Sequence, residues 1–278
     1  MNALEFSLVI WAGSFIAGFL GSLTGLGGGV IIVPLLTIVF GVDIRYAIGA
    51  SLVSVIATSS GAAAAYVKEG YSNIRVGMFL EIATTVGAII GAILAHVIPT
   101  AAISVIFGLV LIQSAYLSSR ARRDHPLPAA SGTLAARLRM DSSYPSLQGP
   151  KAYHVEHLPL GFLLMWIAGG LSGLLGIGSG AMKVVAMDRV MRLPFKVSTT
   201  TSNFMIGVTA AASAGIYLSR GYIDPPLAMP VMLGVLLGAL AGSRVLTRAP
   251  ARTLRIVFGV VILVMAVEMI AHGLTGRI

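Results

Sequence analysis

The chain contains the stretch Gly25-Leu26-Gly27-Gly28-Gly29 and repeats its pattern 151 positions later as Gly176-Ile177-Gly178-Ser179-Gly180. Each stretch separates a long apolar run from a shorter one, 29–41 or 180–191. Glycine permits tight turns and close approach of backbones, so each stretch predicts a loop between two helical segments. At membrane depth such a loop is tolerated only inside protein or beside a water-filled cavity. The pair therefore predicts two buried loops at equivalent places in a duplicated fold.

The composition places the chain in a lipid membrane. Of 278 residues, 56% are hydrophobic and 10% are charged, whereas soluble domains contain about 25% charged residues. So few charges cannot cover a surface that faces water. The net charge of +9 comes from basic residues scattered between apolar runs, which is unlike the single basic patch of nucleic-acid-binding proteins. A lipid bilayer is therefore the expected surrounding, and no nucleic-acid partner is expected.

Ten apolar runs fall into two sets of five, and most reach the roughly 20 residues that a helix needs to cross hydrocarbon. The sets are 6–24, 29–41, 46–67, 75–97 and 101–118, then 160–175, 180–191, 197–218, 226–246 and 253–271. The polar, arginine- and proline-rich stretch between them predicts a mobile, solvated linker with a short helix at Leu134–Met140. The predicted domains are a first transmembrane repeat (1–118), a basic cytoplasmic linker (119–158) and a second transmembrane repeat (159–278).

The two sets are copies of each other, because a shift of 151 positions superposes them without a gap. Matched positions include Gly18/Gly169, Ser51/Ser202, Thr58/Thr209, Tyr66/Tyr217 and Pro99/Pro250. Duplicated halves are a common construction of secondary transporters.

The charge distribution decides the relative orientation of the halves. An odd number of crossings in each half places fifteen basic residues, Lys68 and Arg75 among them, on the side of the linker. Three, Arg45, Arg220 and Arg277, then lie on the other side, whereas an even number gives ten and eight. Cytoplasmic loops carry an excess of Lys and Arg, so the odd number is favoured and both termini are expected outside. The predicted fold is an all-α integral membrane protein with two inverted-topology repeats of about five helical segments each. Each half contains a short or broken helix after a Gly-rich loop.

The two glycine-rich loops are candidate anion-binding elements. The short helix after each loop presents free N–H groups and the positive end of its dipole, and two such ends that face each other would bind an anion. The alternative is that the glycines only allow close helix packing. The candidate residues are Gly27, Gly28 and Gly29 in the first loop and Gly178, Ser179 and Gly180 in the second.

Polar side chains near the start of the third run of each half are further candidates. Ser51, Ser202 and Asn203 can donate hydrogen bonds to an oxyanion without adding charge. The alternative is interhelical hydrogen bonding, which is common for Ser and Thr in membranes.

Lys183 lies within the short apolar segment of the second half, where an ammonium group is costly unless it faces a cavity or a partner. It is a candidate ligand of the anion, and the alternatives are a snorkelling lysine or a pair with Asp188. Glu81 and Glu268 are the acidic residues able to relay a proton, although pairing with a basic residue is favoured for Glu81 and an interfacial position for Glu268.

Around these residues the chain resembles the sulfite exporter TauE/SafE family, also called the toluene-sulfonate uptake permease family. The resemblance covers both repeats and leaves out the linker; it rests on 25–34, 50–52, 176–180 and 197–204. It implies a multi-pass permease for sulfite, sulfonates and related sulfur oxyanions. The second half departs from the family pattern, because Ser179 replaces a glycine, Lys183 enters the short segment and Val185 stands where proline is common.

The residues and the resemblance together predict a secondary transporter that moves a small anion across the cell (inner) membrane, with a sulfur oxyanion or organosulfonate such as sulfite as substrate. An anion channel built on the same site is the alternative. An intramembrane enzyme or assembly factor is disfavoured, because the chain has no His-Glu-x-x-His, Gly-x-Ser-x-Gly or Walker lysine motif. No catalytic residue, metal or cofactor is expected. The expected partners are the anion and the bilayer, and a coupling proton is left open.

Overall fold

The protein is an assembly of eleven α-helices in the computed structural model, which describes residues 3–24, 29–68, 70–119, 133–145, 149–246 and 251–276. Among the residues described, the helical stretches Ile74–Val97, Leu158–Leu175 and Pro225–Gly242 are long and apolar enough to cross a membrane, and five shorter apolar helices accompany them. The predicted all-α class is confirmed. The helices are α1 (Ala3–Thr24), α2 (Gly29–Pro34), α3 (Ile44–Lys68), α4 (Ile74–Val97), α5 (Thr100–Ser119), α6 (Thr133–Arg137), α7 (Leu158–Leu175), α8 (Gly180–Val185), α9 (Phe195–Ser219), α10 (Pro225–Leu246) and α11 (Ala251–Thr275).

The short helix of each half continues into a π-helical turn. Leu35–Val39 extends α2, and Ala186–Val190 extends α8. Pro34, which lacks an N–H group, precedes the first turn, but Val185 takes the equivalent place in the second half. The π-turn therefore does not depend on proline, and it belongs to the repeated architecture.

The helices of the two halves interlock. Helix α1 packs on α10 while α7 packs on α4, and α3 and α5 pack on their own counterparts α9 and α11. The close pairs depend on glycine, since a Cβ atom at Gly18 would overlap the backbone of Val235, and one at Gly169 would overlap that of Thr84. Gly18 and Gly169 are repeat equivalents, as are Thr84 and Val235. Exchange of the halves thus maps one packing interface onto the other.

Residues predicted outside meet at one end of the assembly. The Arg45 guanidinium donates hydrogen bonds to the carbonyls of Ala95, His96 and Ile98 at the end of α4, over 3.1–3.3 Å. It also lies 5.9 Å from the centre of the Tyr222 ring. An arginine at a helix C-terminus satisfies the last carbonyls and complements the dipole.

The second part of the linker differs from the prediction of a mobile, solvated segment. Residues 133–137 form α6, and strands β1 (Ser142–Tyr144) and β2 (Lys151–Tyr153) form an antiparallel hairpin. The Asn73 amide donates to the Met140 carbonyl at 2.9 Å and to the Tyr153 hydroxyl at 2.8 Å. Met140 and Tyr153 are buried there, and burial raises the pKa of the Tyr153 phenol. This docking orders the hairpin against the loop before α4.

Candidate functional site

The loop between α7 and α8 has a backbone that favours glycine. Gly176, Gly178 and Ser179 have φ angles of +68°, +69° and +45°. A residue with a Cβ atom loses about 1–2 kcal/mol in this left-handed region. Ser179 bears that cost, and its buried hydroxyl has no hydrogen-bond partner among the described residues. A strained, unpartnered donor in a buried loop is a candidate ligand contact.

Ser51 joins the second loop to the first half. Its hydroxyl donates to the Gly176 carbonyl at 2.8 Å and lies 3.4 Å from the Gly29 carbonyl. Gly29 is the first residue of α2. The end of α7 and the start of α2 therefore meet at one buried hydroxyl.

Ser202 makes the equivalent contact in the second half. Its hydroxyl lies 3.4 Å from the carbonyl of Gly180, which begins α8. One turn further along α9, Ile206 packs so closely on Gly178 and Gly180 that a Cβ atom at either would come within 2.8 Å of it. The two serines thus hold the starts of the two short helices in the same way, at 3.4 Å in each half.

Lys183 continues this arrangement along α9. Its side chain is fully buried, and Nζ donates to the Thr209 hydroxyl at 2.6 Å. Ser202, Ile206 and Thr209 are spaced by four and three residues and share one face of α9. That face carries the loop contacts at one end and the ammonium group at the other.

Glu81 of α4 lies on the far side of Thr209. Its Oε1 is 2.7 Å from the Thr209 hydroxyl and accepts a hydrogen bond from Thr85 at 3.2 Å. Its Oε2 is buried and has no hydrogen-bond partner among the described residues. The three groups form a buried Lys183–Thr209–Glu81 chain that draws on α8, α9 and α4.

The structure brings most of the predicted site residues together. Gly29 and Ser51 meet the second loop, and Gly178, Gly180 and Ser202 meet around Ile206. Lys183 is linked to Glu81 through Thr209, so its ammonium has a partner other than Asp188. Asn203 follows Ser202 by about 100° around the helix, and it is half-buried on a different face. Gly27 and Gly28 lie outside the described residues.

Two residues of the buried Lys183–Thr209–Glu81 chain were not predicted from the sequence as site residues. The repeat offset identifies Thr209 only as the equivalent of Thr58, and for Glu81 the sequence favours pairing with a basic residue over a proton-relay role. The usable signal was one buried acid and one buried base among apolar segments, because such charges in a membrane usually face each other. Among the described residues, no group of three or more His, Asp or Glu side chains is placed to hold a metal ion.

Comparison with known proteins identifies relatives along almost the whole chain. The profile of the family described as sulfite exporter TauE/SafE matches residues 10–269. The chain is 27% identical to the probable membrane transporter protein YunE of Bacillus subtilis (strain 168), over 98% of this chain and 99% of that protein. It is 26% identical to a probable membrane transporter protein of Xylella fastidiosa (strain 9a5c), over 95% of each chain. A third relative, MJ0441 of Methanocaldococcus jannaschii, has the same description and 26% identity over 92% of each chain. No solved structure matches the chain.

Proposed function

The chain belongs to the sulfite exporter TauE/SafE family of membrane proteins, and from this premise we propose that it is a secondary transporter for a small anion. The proposed substrate is a sulfur oxyanion or an organosulfonate such as sulfite, and the proposed location is the cell (inner) membrane, which the chain crosses several times. The membrane-transporter descriptions of its relatives support the class. The choice of substrate rests on the family description and on the chemistry of the site.

The observation that carries the proposal is the meeting of both repeats at the two serines. Ser51 and Ser202 each lie 3.4 Å from the first carbonyl of a short helix, and Ser51 also binds the opposite loop. Beside them, the unpartnered Ser179 hydroxyl, backbone N–H groups and the ammonium of Lys183 are donors, which suit an oxyanion. A site at the interface between repeats is typical of secondary transporters.

We propose that the two repeats have inverted topology, with both termini outside. Arg45, which the charge count places outside, meets Tyr222, two residues after Arg220 of the same predicted side. Asn73, two residues before Arg75 on the predicted inner side, meets the linker residues Met140 and Tyr153 in a different cluster. This separation of the two sets of loops supports the proposed arrangement.

Counterflow in proteoliposomes tests the transport proposal. We expect internal sulfite to accelerate the entry of labelled sulfite, because a carrier exchanges substrate across the membrane, whereas a channel does not require exchange. Ser51→Ala removes the 2.8 Å contact to Gly176 and is expected to slow counterflow. Ser219→Ala is the matched control, because Ser219 is exposed and bonds only within its own helix among the described residues. Absence of counterflow with sulfite and with methanesulfonate in the unmodified protein would contradict the proposal.

A further inference from the structure

The buried carboxylate of Glu81 lies beside the proposed site, and in its ionised form it would repel an anion. Only 6% of the residue is exposed, and its Oε2 atom has no hydrogen-bond partner in the described part of the chain. An ionised carboxylate oxygen left in this state is costly, because burial removes its hydration without replacement. A bound proton removes that cost, since the proton can sit on Oε2 while Oε1 keeps its contacts with Thr209 and Thr85.

The hydrogen bonds around Thr209 connect the acid to the base. Lys183 donates to the Thr209 oxygen. The single Thr209 proton can go to Glu81 Oε1 at 2.7 Å, to the Met205 carbonyl at 2.9 Å or to the Thr84 hydroxyl at 3.3 Å. If Lys183 transfers a proton to Thr209 while Thr209 transfers its own to Glu81, the hydroxyl ends unchanged and both charges are neutralised. Once Glu81 carries a proton, the Thr209 hydroxyl can donate to the Met205 carbonyl instead.

The surroundings of Glu81 show which charges act on it. Lys183 is the charged group that interacts with Glu81, and Thr84, Thr85 and Thr209 contribute hydroxyls. Helix α7, which packs on α4, contains no titratable side chain. Lys196 and Tyr217 on α9 lie thirteen and eight residues from Thr209, about 20 Å and 12 Å along the helix. Asp188 and Arg189 follow Lys183 in the π-turn.

Charge balance then links the anion to a proton. With Lys183 protonated and Glu81 ionised, the empty site carries no net charge. A monovalent anion that engages Lys183 leaves one uncompensated negative charge in a buried region, which costs several kcal/mol. Uptake of one proton by Glu81 restores neutrality.

We propose that Glu81 binds the coupling proton, so that one proton accompanies each monovalent anion and transport is electroneutral. This inference rests on the proposed function and assigns its coupling ion. Because the anion and the proton carry opposite charges, binding of either one is expected to strengthen binding of the other. The two effects must be equal, because thermodynamic linkage is reciprocal.

The pH dependence of anion affinity tests the inference without transport. The probe is methanesulfonate, which has one negative charge at every pH used, titrated calorimetrically into the purified full chain. If one proton enters with each anion, the affinity rises about ten-fold for each unit by which the pH falls. This slope is expected only over the pH range in which Glu81 takes up its proton. We expect Glu81→Gln to bind the anion with an affinity independent of pH.

Transport supplies the second readout. In proteoliposomes, an acidic exterior is expected to drive accumulation of labelled methanesulfonate in the unmodified protein, and a membrane potential alone is not. Glu81→Gln is expected to lose the accumulation driven by the pH gradient, because it removes the group that binds the proton. Glu268→Gln is the matched control, because this carboxylate on α11 is 52% exposed and lies outside the site. Glu81→Asp retains the ionisable group and is expected to retain the pH dependence, which keeps the test valid if Glu81→Gln does not fold.

The outcomes separate the two proposals. Counterflow in the unmodified protein with an unchanged pH dependence in Glu81→Gln would overturn the proton assignment and leave the transporter proposal standing. A folded Glu81→Gln variant that has lost both counterflow and anion binding would place Glu81 in the anion site. This result would also overturn its coupling role. Absence of counterflow in the unmodified protein with both sulfite and methanesulfonate would overturn the transporter proposal itself.

Discussion

Replacement of Lys183 by methionine removes the only charge that balances Glu81 among the described residues. Contacts of 2.6 Å and 2.7 Å through the Thr209 hydroxyl place Nζ within about 5.3 Å of Glu81 Oε1. At an effective dielectric constant of about 20, two unit charges at this distance attract each other by about 3 kcal/mol. We therefore expect Lys183→Met to lower the free energy of unfolding by about 3 kcal/mol, although methionine suits a lipid environment better.

A double-mutant cycle isolates the interaction from other effects of the substitution. Glu81→Gln alone leaves a buried ammonium without its counter-charge and is expected to destabilise the fold by a similar amount. The double variant Lys183→Met/Glu81→Gln leaves no buried charge among the side chains that the structure describes, so its loss should be smaller than the sum of the two single losses. The expected coupling energy is about 3 kcal/mol, near the upper limit for residues in one network.

Unfolding in mixed micelles, followed by circular dichroism while the denaturing detergent is increased, measures these free energies. Glu268 and His272 provide the comparison cycle, because they are four residues apart on α11, 3.7 Å from each other and partly exposed. Such surface pairs contribute about 1 kcal/mol or less. A coupling energy for Lys183 and Glu81 no larger than that of the surface pair would refute the interaction through Thr209.

Three other regions give further expectations, and labelling tests the topology. Gly169→Ala places a Cβ atom against the backbone of Thr84 and should cost about 1–3 kcal/mol in unfolding experiments, whereas Gly215→Ala has open space and should not; equal effects would refute the close-packing argument. Ser179→Gly should raise the unfolding free energy by about 1 kcal/mol by relieving the left-handed backbone while it weakens anion binding in calorimetry; unchanged affinity would exclude the Ser179 hydroxyl as a ligand. Burial raises the pKa of Tyr153 above 10.0, so the folded state favours the neutral phenol. Hydrogen exchange should therefore show complete docking of the hairpin below pH 10.0 and weaker docking above it. If a Tyr153→Phe variant lost docking at the same alkaline pH, another group would be responsible for the loss. Single cysteines introduced into this cysteine-free chain as Thr275→Cys and Ser143→Cys should be labelled from opposite sides of the membrane, and labelling from one side would contradict the inverted repeats.

The helical segments were predictable from the sequence because apolar length and glycine breaks determine them locally. The run predicted at 75–97 is the helix Ile74–Val97, and the shorter run predicted at 180–191 is the helix and π-turn that end at Val190. The repeat offset also pointed to Ser51 and Ser202 as equivalent residues, and they make equivalent contacts. These features depend on neighbours in the chain or on the duplication, both of which are visible in one sequence.

The partner of Lys183 was not predictable by the same means. Glu81 lies in the other half, and its approach depends on how α4 packs against α7 and α9. The repeat offset gives no help, because the positions equivalent to Lys183 and Glu81 are Ile32 and Met232. The hairpin was missed for a different reason. Its apolar contacts come from isolated residues such as Tyr153 in a polar stretch, which hydropathy does not distinguish from a solvated linker.

The interlocked packing of the halves has a consequence for biosynthesis. The ribosome releases α1 long before α10, yet α1 packs on α10, and the surface around Gly18 is shaped for the backbone of Val235. Until the second half has been inserted, this surface faces lipid, which cannot fill it as closely as a helix does. The first half is therefore an incompletely packed folding intermediate until α10 is synthesised. A translation product that ends before α10 would keep the groove around Gly18 unfilled and open to proteases that remove misfolded membrane proteins. Supplying the second half as a separate polypeptide is expected to complete the groove, because the contacts that fill it lie between the halves and outside the linker.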